Sequence, residues 1–478
     1  MKKVLHISTE CYPAAKAGGM GDVVGAVPLY LPQYGIEASV IIPKYKRKWF
    51  KDQSFKSVHK GSILLGDRKV NYSIQQLKND VLDYPFYCVD IPGLFDRENI
   101  YLGEDGHGYK DEAERNISFQ RAILKWLTKG KVSFDVLHCH DHMTGLIPFF
   151  IKYCPVYKKL AQTPTLFTIH NGQYRGIFDW KVNDILPEYD EANRGLLDWD
   201  GNINSLATAI KCAWKVNTVS PSYMKELILN FDTLTSLVQD EKDKCHGIIN
   251  GIDNDLWDPE RDHYLEHHLL NNEWKKFKAE NKLSLIKKFD LKSRRSMIGF
   301  IGRLAEQKGA DILEASIRKC LDQKMQFSVV ILGSGDKVIE KSLSDLAEKY
   351  PRDIEVIIAY NEKLAREIYA GCDFLMMPSR FEPCGLNQMY AMRYGTIPIV
   401  SHVGGLKDTV PDIADGGNGI VARTIDTEGF SEGIQRAVSL YNDKKAHEKQ
   451  LKKITKLDFS WNQSAKKYTS LYLELSMQ

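Results

Sequence analysis

The sequence contains no long hydrophobic run. Its first apolar stretch begins at Val4 and ends at Ser8, which is too short for the core of a secretory signal peptide. No later stretch approaches the roughly 20 apolar residues that a membrane-spanning helix needs. The sequence therefore predicts a protein with no leader peptide and no membrane partner.

The sequence also lacks a dominant charge. Its 65 basic residues nearly balance its 62 acidic residues, and the formal net charge is +3. This balance argues against a global affinity for polyanions, and we predict no nucleic-acid partner. A local basic run lies at residues 44–51, where Tyr45 and Trp49 interleave with lysines and an arginine. We interpret this run as a solvated surface loop, with a nucleic-acid or glycan patch as the alternative.

Regular cysteine spacing, internal repeats and low-complexity segments are missing as well. The chain has nine cysteines, an odd number without a pattern, which is typical of reduced thiols and predicts a cytoplasmic location. A chain of 478 residues is too long for one ordinary hydrophobic core, so two domains are predicted.

Short apolar runs alternate with amphipathic segments along the whole chain. This alternation predicts an α/β protein with parallel sheets. Strands are predicted at residues 4–8, 38–42, 86–90, 136–140, 165–170 and 216–219, and then at 297–301, 327–332, 355–358, 374–377 and 397–401. The turn dipeptide Asn250-Gly251 separates the two halves. We therefore predict one domain at residues 1–250 and a second at 251–460.

The first loop, residues 10–22, is rich in glycine and lies between a predicted strand and a predicted helix at residues 23–31. Backbone N–H groups at such a helix N-terminus bind phosphate oxygens, and Lys16 adds a positive charge. The spacing matches neither the dinucleotide fingerprint nor the P-loop. A tight turn that needs glycine only for its backbone conformation is the alternative interpretation.

Two further loops carry polar groups after predicted strands of the second half. Arg303 and Lys308 follow the strand at 297–301, and they offer a bidentate fork and a point charge to phosphate. Glu382 opens another helix, where it can accept hydrogen bonds from sugar hydroxyls. Two phosphate-type loops and one carboxylate loop together predict a nucleotide diphosphate sugar clamped between two domains.

The chain resembles the bacterial glycogen synthases and the plant starch synthases over nearly its whole length. The motifs that carry the resemblance, in chain order, are KAGGMGD (16–22), FDR (95–97), HD (140–141), HNG (170–172), TVSPSY (218–223), INGID (249–253), WDP (257–259), GR with KG (302–303 and 308–309), RFEPCGL (380–386) and GGLKDTV (404–410). Each motif alone is modest evidence, but their joint occurrence in this order is very specific.

The resemblance implies a GT-B fold, with two Rossmann-like parallel-sheet domains facing a deep cleft and a helix within 461–478 packing back on the first domain. It implies a retaining enzyme that transfers glucose from ADP-glucose or UDP-glucose to the non-reducing end of an α-1,4-glucan such as glycogen or a maltooligosaccharide. No cofactor and no metal are expected, because lysine and arginine neutralise the diphosphate in this family.

The resemblance also implies roles for individual residues. The catalytic set is Lys16, His170, Arg303, Lys308 and Glu382. The cations would hold the phosphates, His170 would meet the glucose 6-hydroxyl, and Glu382 would fix the 3- and 4-hydroxyls. The substrate-binding set comprises Gly18, Gly19 and Asp22 in the first loop, Cys384, Gly385 and Leu386 beside Glu382, Asn250 near the 6-hydroxyl, Tyr360 stacked on the base, and Glu10, Tyr101, Asp141 and Asn171 on the acceptor side.

Two segments imitate metal-binding motifs. His138, His140 and His142 alternate at the end of a predicted strand, so period two would place them on one face. We interpret them as cleft-lining residues, since a metal site normally recruits ligands from elsewhere, and a metal site is the alternative. Residues 198–200, which read Asp-Trp-Asp, are interpreted as a solvated polar loop with no strand leading into it.

The chain departs from the family pattern at three places. The family often has Trp-His where this chain has His142 and Met143, and it usually has a lysine where this chain has Ala207. Residues 230–244 contain no glycine, although a Gly-Leu loop is usual there.

Two alternatives to the implied function are a GT-B enzyme that makes another glycoside and a non-catalytic glucan-binding relative. The intact segment around Glu382 argues against the first, and the retained catalytic set argues against the second.

Overall fold

The computed structural model describes residues 1–78, 81–103, 106–130 and 132–477. Contacts divide the chain into two compact units, which are Met1–Gly251 with Trp461–Gln478 (unit 1) and Ile252–Ser460 (unit 2). Each unit is built on a parallel β-sheet, as the alternation of apolar and amphipathic segments predicts. Within the described ranges, no helix is both long enough and apolar enough to cross a membrane.

Unit 1 contains twelve strands in its described residues. They are β1 (Lys2–Ile7), β2 (Ile36–Pro43), β3 (Phe55–Leu65), β4 (Arg68–Leu77), β5 (Phe86–Asp90), β6 (Val136–His140), β7 (Thr165–Ile169), β8 (Ile177–Phe178), β9 (Asp198–Trp199), β10 (Asn202–Asn204), β11 (Lys215–Thr218) and β12 (Cys245–Gly247). The main sheet has the order β12-β11-β7-β6-β1-β2-β5-β4-β3, and β8, β10 and β9 form a small antiparallel sheet. In the main sheet, β12 to β5 are parallel, and β4 and β3 extend it as an antiparallel ribbon.

Eight α-helices of unit 1 lie before the boundary with unit 2, counted over the described residues. They are α1 (Gly19–Tyr30), α2 (Lys48–Asp52), α3 (Glu112–Lys129), α4 (Ile147–Tyr153), α5 (Arg194–Leu197), α6 (Ser205–Cys212), α7 (Pro221–Leu229) and α8 (Thr235–Asp240). The parallel strands between them are almost continuously buried, because crossover helices cover both faces of such a sheet.

Unit 2 contains one parallel sheet of six strands. These are β13 (Ser296–Ile301), β14 (Phe327–Gly333), β15 (Ile354–Ile358), β16 (Phe374–Met377), β17 (Ile397–Val400) and β18 (Ile420–Val421), in the order β15-β14-β13-β16-β17-β18. Its helices are α9 (Trp274–Phe289), α10 (Leu313–Asp322), α11 (Lys337–Lys349), α12 (Glu362–Gly371), α13 (Asn387–Arg393), α14 (Gly404–Thr409), α15 (Thr427–Asn442) and α16 (Lys444–Ile454).

The strand order reverses once in each main sheet. In unit 1 the chain builds from β1 to β2 on one side and later from β6 to β7 on the other, so the reversal lies between β1 and β6. In unit 2 the reversal lies between β13 and β16. The loops that leave the carboxyl ends of strands at such a reversal diverge and open a crevice, where open α/β sheets bind their ligands.

The last helix, α17 (Trp461–Leu475), belongs to unit 1 although it follows unit 2 in the chain. Its buried residues recur every three or four positions at Trp461, Ala465, Tyr468, Tyr472 and Leu475, which is the spacing of one helix face. This face joins a core cluster with Val4, Val23 and Val136. The helix therefore covers apolar residues of β1 and β6 and shields them from solvent.

All eleven predicted strands are present, with bounds that differ by at most two residues. Two expectations are wrong, and some of the observed strands were not expected. The ribbon of β3 and β4 was not expected, because its residues are half exposed and polar. Residues 198–200 are not a plain loop, since Asp198 and Trp199 form β9 and Asp198 accepts a hydrogen bond from the Trp180 indole at 2.8 Å. The basic run at 44–51 includes the start of α2, and its Tyr45 is buried.

Replacing Trp461 by alanine tests how far unit 1 depends on α17. Trp461 is 2% exposed, so Trp461→Ala leaves a cavity and should lower the free energy of unfolding by about 3–5 kcal/mol. Lys467→Ala, at an exposed position of the same helix, should change it by less than about 0.5 kcal/mol. Urea titrations followed by circular dichroism measure both. Equal unfolding midpoints for the two variants would show that α17 is not part of the core.

Candidate active site

The loop after β1 is held in shape by the carboxylate of Glu10. Its Oε2 accepts hydrogen bonds from the backbone N–H groups of Ala17 at 2.5 Å and Gly18 at 2.8 Å. Its Oε1 accepts a hydrogen bond from the Tyr101 hydroxyl at 2.6 Å. Because the Gly18 N–H already binds Glu10, its contact with a phosphate stays a prediction.

The amino end of α1 is open and carries a positive charge. A Cβ added to Gly18 or Gly19 would meet no atom within 4 Å, so a ligand can approach the backbone here. Lys16 lies beside this end, with its Nζ 2.7 Å from Oδ1 of Asp22 and its side chain 43% exposed. Asp22 stands in the first turn of α1, where the helix dipole favours an acid. This end of the helix can receive an anion.

The carboxyl ends of β6 and β7 bring Asp141, His170 and Asn171 together. Asp141 adopts a left-handed conformation with φ of 55°, and its Oδ1 accepts hydrogen bonds from the N–H groups of His170 at 2.7 Å and Asn171 at 3.4 Å. Burial raises the pKa of Asp141 to about 7, and the hydrogen bond from His170 opposes that rise. His170 itself is 8% exposed. The position after Asp141 is occupied by His142, whose Nε2 lies 3.3 Å from Oε1 of Glu112.

The histidine cluster differs in its membership from the one that the sequence predicts. His138 and His140 are neighbours with ring centroids 4.0 Å apart, but the third ring beside them is His6 of β1 and not His142. Register explains the difference, since His6 of β1 pairs with His138 of β6. Nothing in the spacing of β6 alone points to His6. The signal in the sequence that could have identified His6 was a histidine in the middle of the buried apolar strand β1.

Metal binding at this cluster would disturb existing contacts. Ligand nitrogens of His6, His138 and His140 lie within 4.8 Å of one another, so the three rings could hold an ion. Every one of their ring nitrogens, however, already has a hydrogen-bonding partner within the protein. The group found over the described residues includes no carboxylate to balance a buried divalent charge. The absence of a metal therefore stays our prediction.

In unit 2 the loops after β13 and β16 are joined by an ion pair. The Nζ of Lys308 lies 2.7 Å from Oε2 of Glu382, and the hydroxyl of Ser379 donates to the same oxygen at 3.0 Å. Gly309 next to Lys308 needs to be glycine, because its φ is 65° and a Cβ would lie 2.0 Å from the Pro378 carbonyl oxygen. Lys308, Ser379 and Glu382 line a small cavity with Gly302, Leu386 and Asn387.

Arg303 and the residues after Glu382 complete this cluster. Arg303 donates to Oε1 of Gln307 at 2.8 Å, within the loop that carries Lys308. Cys384 is buried, Gly385 has a φ of 75°, and Leu386 precedes α13. Gly404 and Gly405 of the GGLKDTV motif let the start of α14 lie close to the backbone of this loop. A Cβ at either glycine would strike the backbone oxygen of Glu382 or Cys384.

Two predicted residues lie apart from these clusters. Tyr360 follows β15 and is 89% exposed, so its ring is available for stacking. Asn250 is buried at the end of unit 1, and its Oδ1 has no hydrogen-bonding partner in the described part of the chain. Glu10, Lys16, Asp141 and His170 thus belong to one unit, and Arg303, Lys308, Glu382 and Tyr360 belong to the other.

Two family models match this chain. The model described as starch synthase catalytic domain matches residues 3–239, and the model described as glycosyl transferases group 1 matches residues 281–456. The two parallel sheets, with charged loops at their reversal points, agree with both matches. The class is therefore a glycosyltransferase of the GT-B fold, and the predicted fold class is confirmed.

Full-length relatives define the family within that class. A glycogen synthase of Flavobacterium johnsoniae is 42% identical over 471 residues, which are 98% of this chain and 98% of the relative. A glycogen synthase of Thermosipho melanesiensis is 38% identical, again with 98% of each chain covered. The solved catalytic domain of starch synthase IV from Arabidopsis thaliana, bound to ADP and acarbose, is 29% identical with a TM-score of 0.87 over 100% of both chains.

The chain belongs to the family of bacterial glycogen synthases and plant starch synthases. The resemblance that the motifs carry is thereby confirmed over the whole chain. The protein is a glucosyltransferase with a nucleotide-sugar donor and a glucan acceptor.

The raised pKa of Asp141 predicts a pH dependence of stability. The native carboxyl keeps its proton up to about pH 7, whereas an unfolded aspartate loses it near pH 4. Between these values the native state binds more protons, so this group lowers stability as pH rises. Asp141→Asn has no such proton to lose. Its stability relative to wild type should therefore increase from pH 5 to pH 8 by roughly 1–3 kcal/mol.

Chemical unfolding of both proteins at pH 5, 6, 7 and 8 measures this difference. Asp345→Asn is the control, because its side chain is 59% exposed and forms an ion pair with Lys341 of the same helix. Its stability relative to wild type should change far less over this range. A constant difference between Asp141→Asn and wild type would contradict the prediction.

Proposed function

We propose that ADP-glucose is the donor and that glucose is transferred, with retention, to the non-reducing end of an α-1,4-glucan. The observation that carries the proposal is the pairing of Lys308 with Glu382 at 2.7 Å, which sets a cation and a sugar-binding carboxylate side by side at a strand reversal. The relative solved with ADP and acarbose, which is similar over the whole chain, supports the adenine nucleotide and the glucan.

In this proposal Lys308 binds both Glu382 and the diphosphate of the donor. An ammonium group has three donors, so it can keep its bond to Glu382 while it donates to a phosphate oxygen. Arg303, in the same loop, offers a planar fork to the other phosphate oxygens. Both cations then stabilise the charge that develops on the leaving diphosphate, and such preorganised electrostatic stabilisation is usually the largest contribution to catalysis. Glu382, paired with Lys308, accepts hydrogen bonds from the glucose 3- and 4-hydroxyls.

The residues of unit 1 supply the remaining groups. Lys16 adds a third cation, next to the open amino end of α1 at Gly19. His170 donates to the glucose 6-hydroxyl, and Asn250 contacts the same hydroxyl. Asp141 holds the backbone at His170, and Glu10 holds the loop of Lys16, so these acids position neighbours as well as face the acceptor. The transfer requires residues of both units.

We also propose that the protein works in a reducing compartment such as the cytoplasm. All nine cysteines are free thiols, and eight of them are buried. Their burial raises the pKa of several, among them Cys154 and Cys212 to about 12, so these thiols stay protonated and unreactive at neutral pH.

Single removals of the three cations test the clamp. Lys16→Ala, Arg303→Ala and Lys308→Ala should each lower kcat by about 100- to 1,000-fold, since each loses stabilisation of developing charge. Lys341→Ala is a matched control, because it breaks an exposed ion pair in unit 2 at Asp345 and should leave kcat unchanged. Circular dichroism checks that the variants are folded. Near-wild-type kcat in any two of the three variants would refute the assignment.

Incorporation of labelled glucose into glycogen from ADP-glucose and from UDP-glucose, measured in parallel, tests the proposed reaction. We expect a higher kcat/KM with ADP-glucose than with UDP-glucose. We also expect an exo-acting α-1,4-glucosidase to release all of the labelled glucose from the product. Higher kcat/KM with UDP-glucose would overturn the donor assignment. Label that resists this glucosidase would show that a different glycosidic bond is made.

A further inference from the structure

Six buried side chains form a continuous hydrogen-bonded row, which begins at His170 and ends at Thr168. Starting from the site, the Nε2 of His170 is 3.0 Å from Nδ1 of His140, and the Nε2 of His140 is 3.1 Å from Nδ1 of His6. The Nε2 of His6 is 3.3 Å from the hydroxyl of Tyr472 on α17. That hydroxyl is 2.7 Å from Nδ1 of His138, whose Nε2 is 2.7 Å from Oγ1 of Thr168.

The row is closed to solvent and uncharged. His6, His138, His140 and Thr168 are at most 1% exposed, and Tyr472 is fully buried. Burial lowers the pKa of His6 and His170 to about 3, and it also holds the pKa values of His138 and His140 well below their usual range. All four rings are therefore neutral at neutral pH. Burial likewise raises the pKa of Tyr472, so its hydroxyl keeps its proton.

A row of neutral imidazoles has a direction. Each neutral ring has one N–H donor and one bare nitrogen acceptor, so a ring that accepts from one neighbour donates to the other. The tyrosine hydroxyl, with one proton, follows the same rule here. Fixing the donor at one end therefore fixes the protonated nitrogen of every ring up to His170.

The far end of the row supplies that donor. Oγ1 of Thr168 already accepts a hydrogen bond from Nδ2 of Asn217 at 3.3 Å. The other partner of this hydroxyl in the described residues is Nε2 of His138. A buried hydroxyl that accepts from Asn217 satisfies its own proton by donating it to that nitrogen. His138 then donates from Nδ1 to Tyr472, Tyr472 donates to His6, His6 donates to His140, and His140 donates to Nε2 of His170. The proton of His170 is left on Nδ1.

We propose that this row is a positioning relay, which extends from Thr168 through Tyr472 of α17 and fixes His170 as an Nδ1–H donor toward the glucose hydroxyl. The inference rests on the proposed function, in which His170 contacts the transferred glucose. Tyr472, His6 and His140 are positioning residues that act through His170. Hydrogen bonds aligned in one direction polarise one another, so the donor strength of His170 depends on the whole row.

The variant Tyr472→Phe interrupts the relay at its middle. It removes one hydroxyl and keeps the ring that packs in the core, but it leaves His6 and His138 without their common partner. We expect kcat to fall about 5- to 10-fold, as for one net hydrogen bond, with KM for glycogen unchanged. Tyr369→Phe is the control, since Tyr369 is 2% exposed in the core of unit 2 and the variant likewise removes one buried tyrosine hydroxyl. Its kcat should be near that of wild type.

Nuclear magnetic resonance of protein labelled with nitrogen-15 in histidine gives a readout that does not depend on activity. Two-bond proton–nitrogen correlations show which ring nitrogen carries the proton, and His170→Asn assigns the His170 signal by its loss. Wild type and Tyr369→Phe should show His170 protonated at Nδ1. Tyr472→Phe should show a mixture of the two tautomers.

The other end of the row offers a rescue experiment. Thr168→Val removes the hydroxyl at nearly constant volume and should also mix the tautomers, whereas Thr168→Ser keeps the hydroxyl and should restore the wild-type spectrum. Wild-type His170 protonated at Nε2, a zinc content of one per chain, or an unchanged His170 signal in both Tyr472→Phe and Thr168→Val would overturn the relay. Failure of glucose transfer would leave these spectra interpretable, so the two proposals fail separately.

Discussion

Parallel strand pairing is the constraint on which the rest of this structure depends. Right-handed crossovers bring every parallel strand into the sheet in the same direction, so all carboxyl ends meet at one edge. At that edge the reversals of strand order between β1 and β6 and between β13 and β16 separate the departing loops. The chemistry-bearing residues of each unit follow these strands directly, although up to 160 positions separate Glu10 from His170. Their proximity follows from topology.

Within each cluster, charge pairs fix side chains that would otherwise be mobile. Glu10 holds a loop by its backbone amides, Asp22 holds Lys16, and Glu382 holds Lys308. These pairs are partly exposed and contribute little to global stability. In the proposed mechanism they orient the cations, and a cation that is already oriented needs less reorganisation when the leaving group becomes charged. The buried histidines have the complementary property of remaining neutral.

The sequence predicts those parts of the fold whose signal is local. Eleven of the thirteen parallel strands in the described residues are predicted, because buried parallel strands are uninterrupted apolar runs. The short parallel strands β12 and β18 are not predicted. The charged loops are predicted because their motifs are contiguous. The ribbon of β3 and β4 was not predicted, because its alternating, half-exposed residues resemble a polar loop. The membership of His6 in the histidine cluster was not predicted, because only strand register places it beside His138. Register is a long-range property. The roles of Gly404 and Gly405 depend equally on a non-local approach of backbone.

The position of α17 has a consequence for how the protein is made. A ribosome synthesises all of unit 2 before it synthesises the helix that completes the core of unit 1. Domains generally fold as they emerge, so unit 2 can reach its native state while unit 1 still exposes the apolar surface around Val4, Val23 and Val136. The first half of the chain is thus the last to finish folding. During translation this patch remains exposed apolar surface until α17 is made.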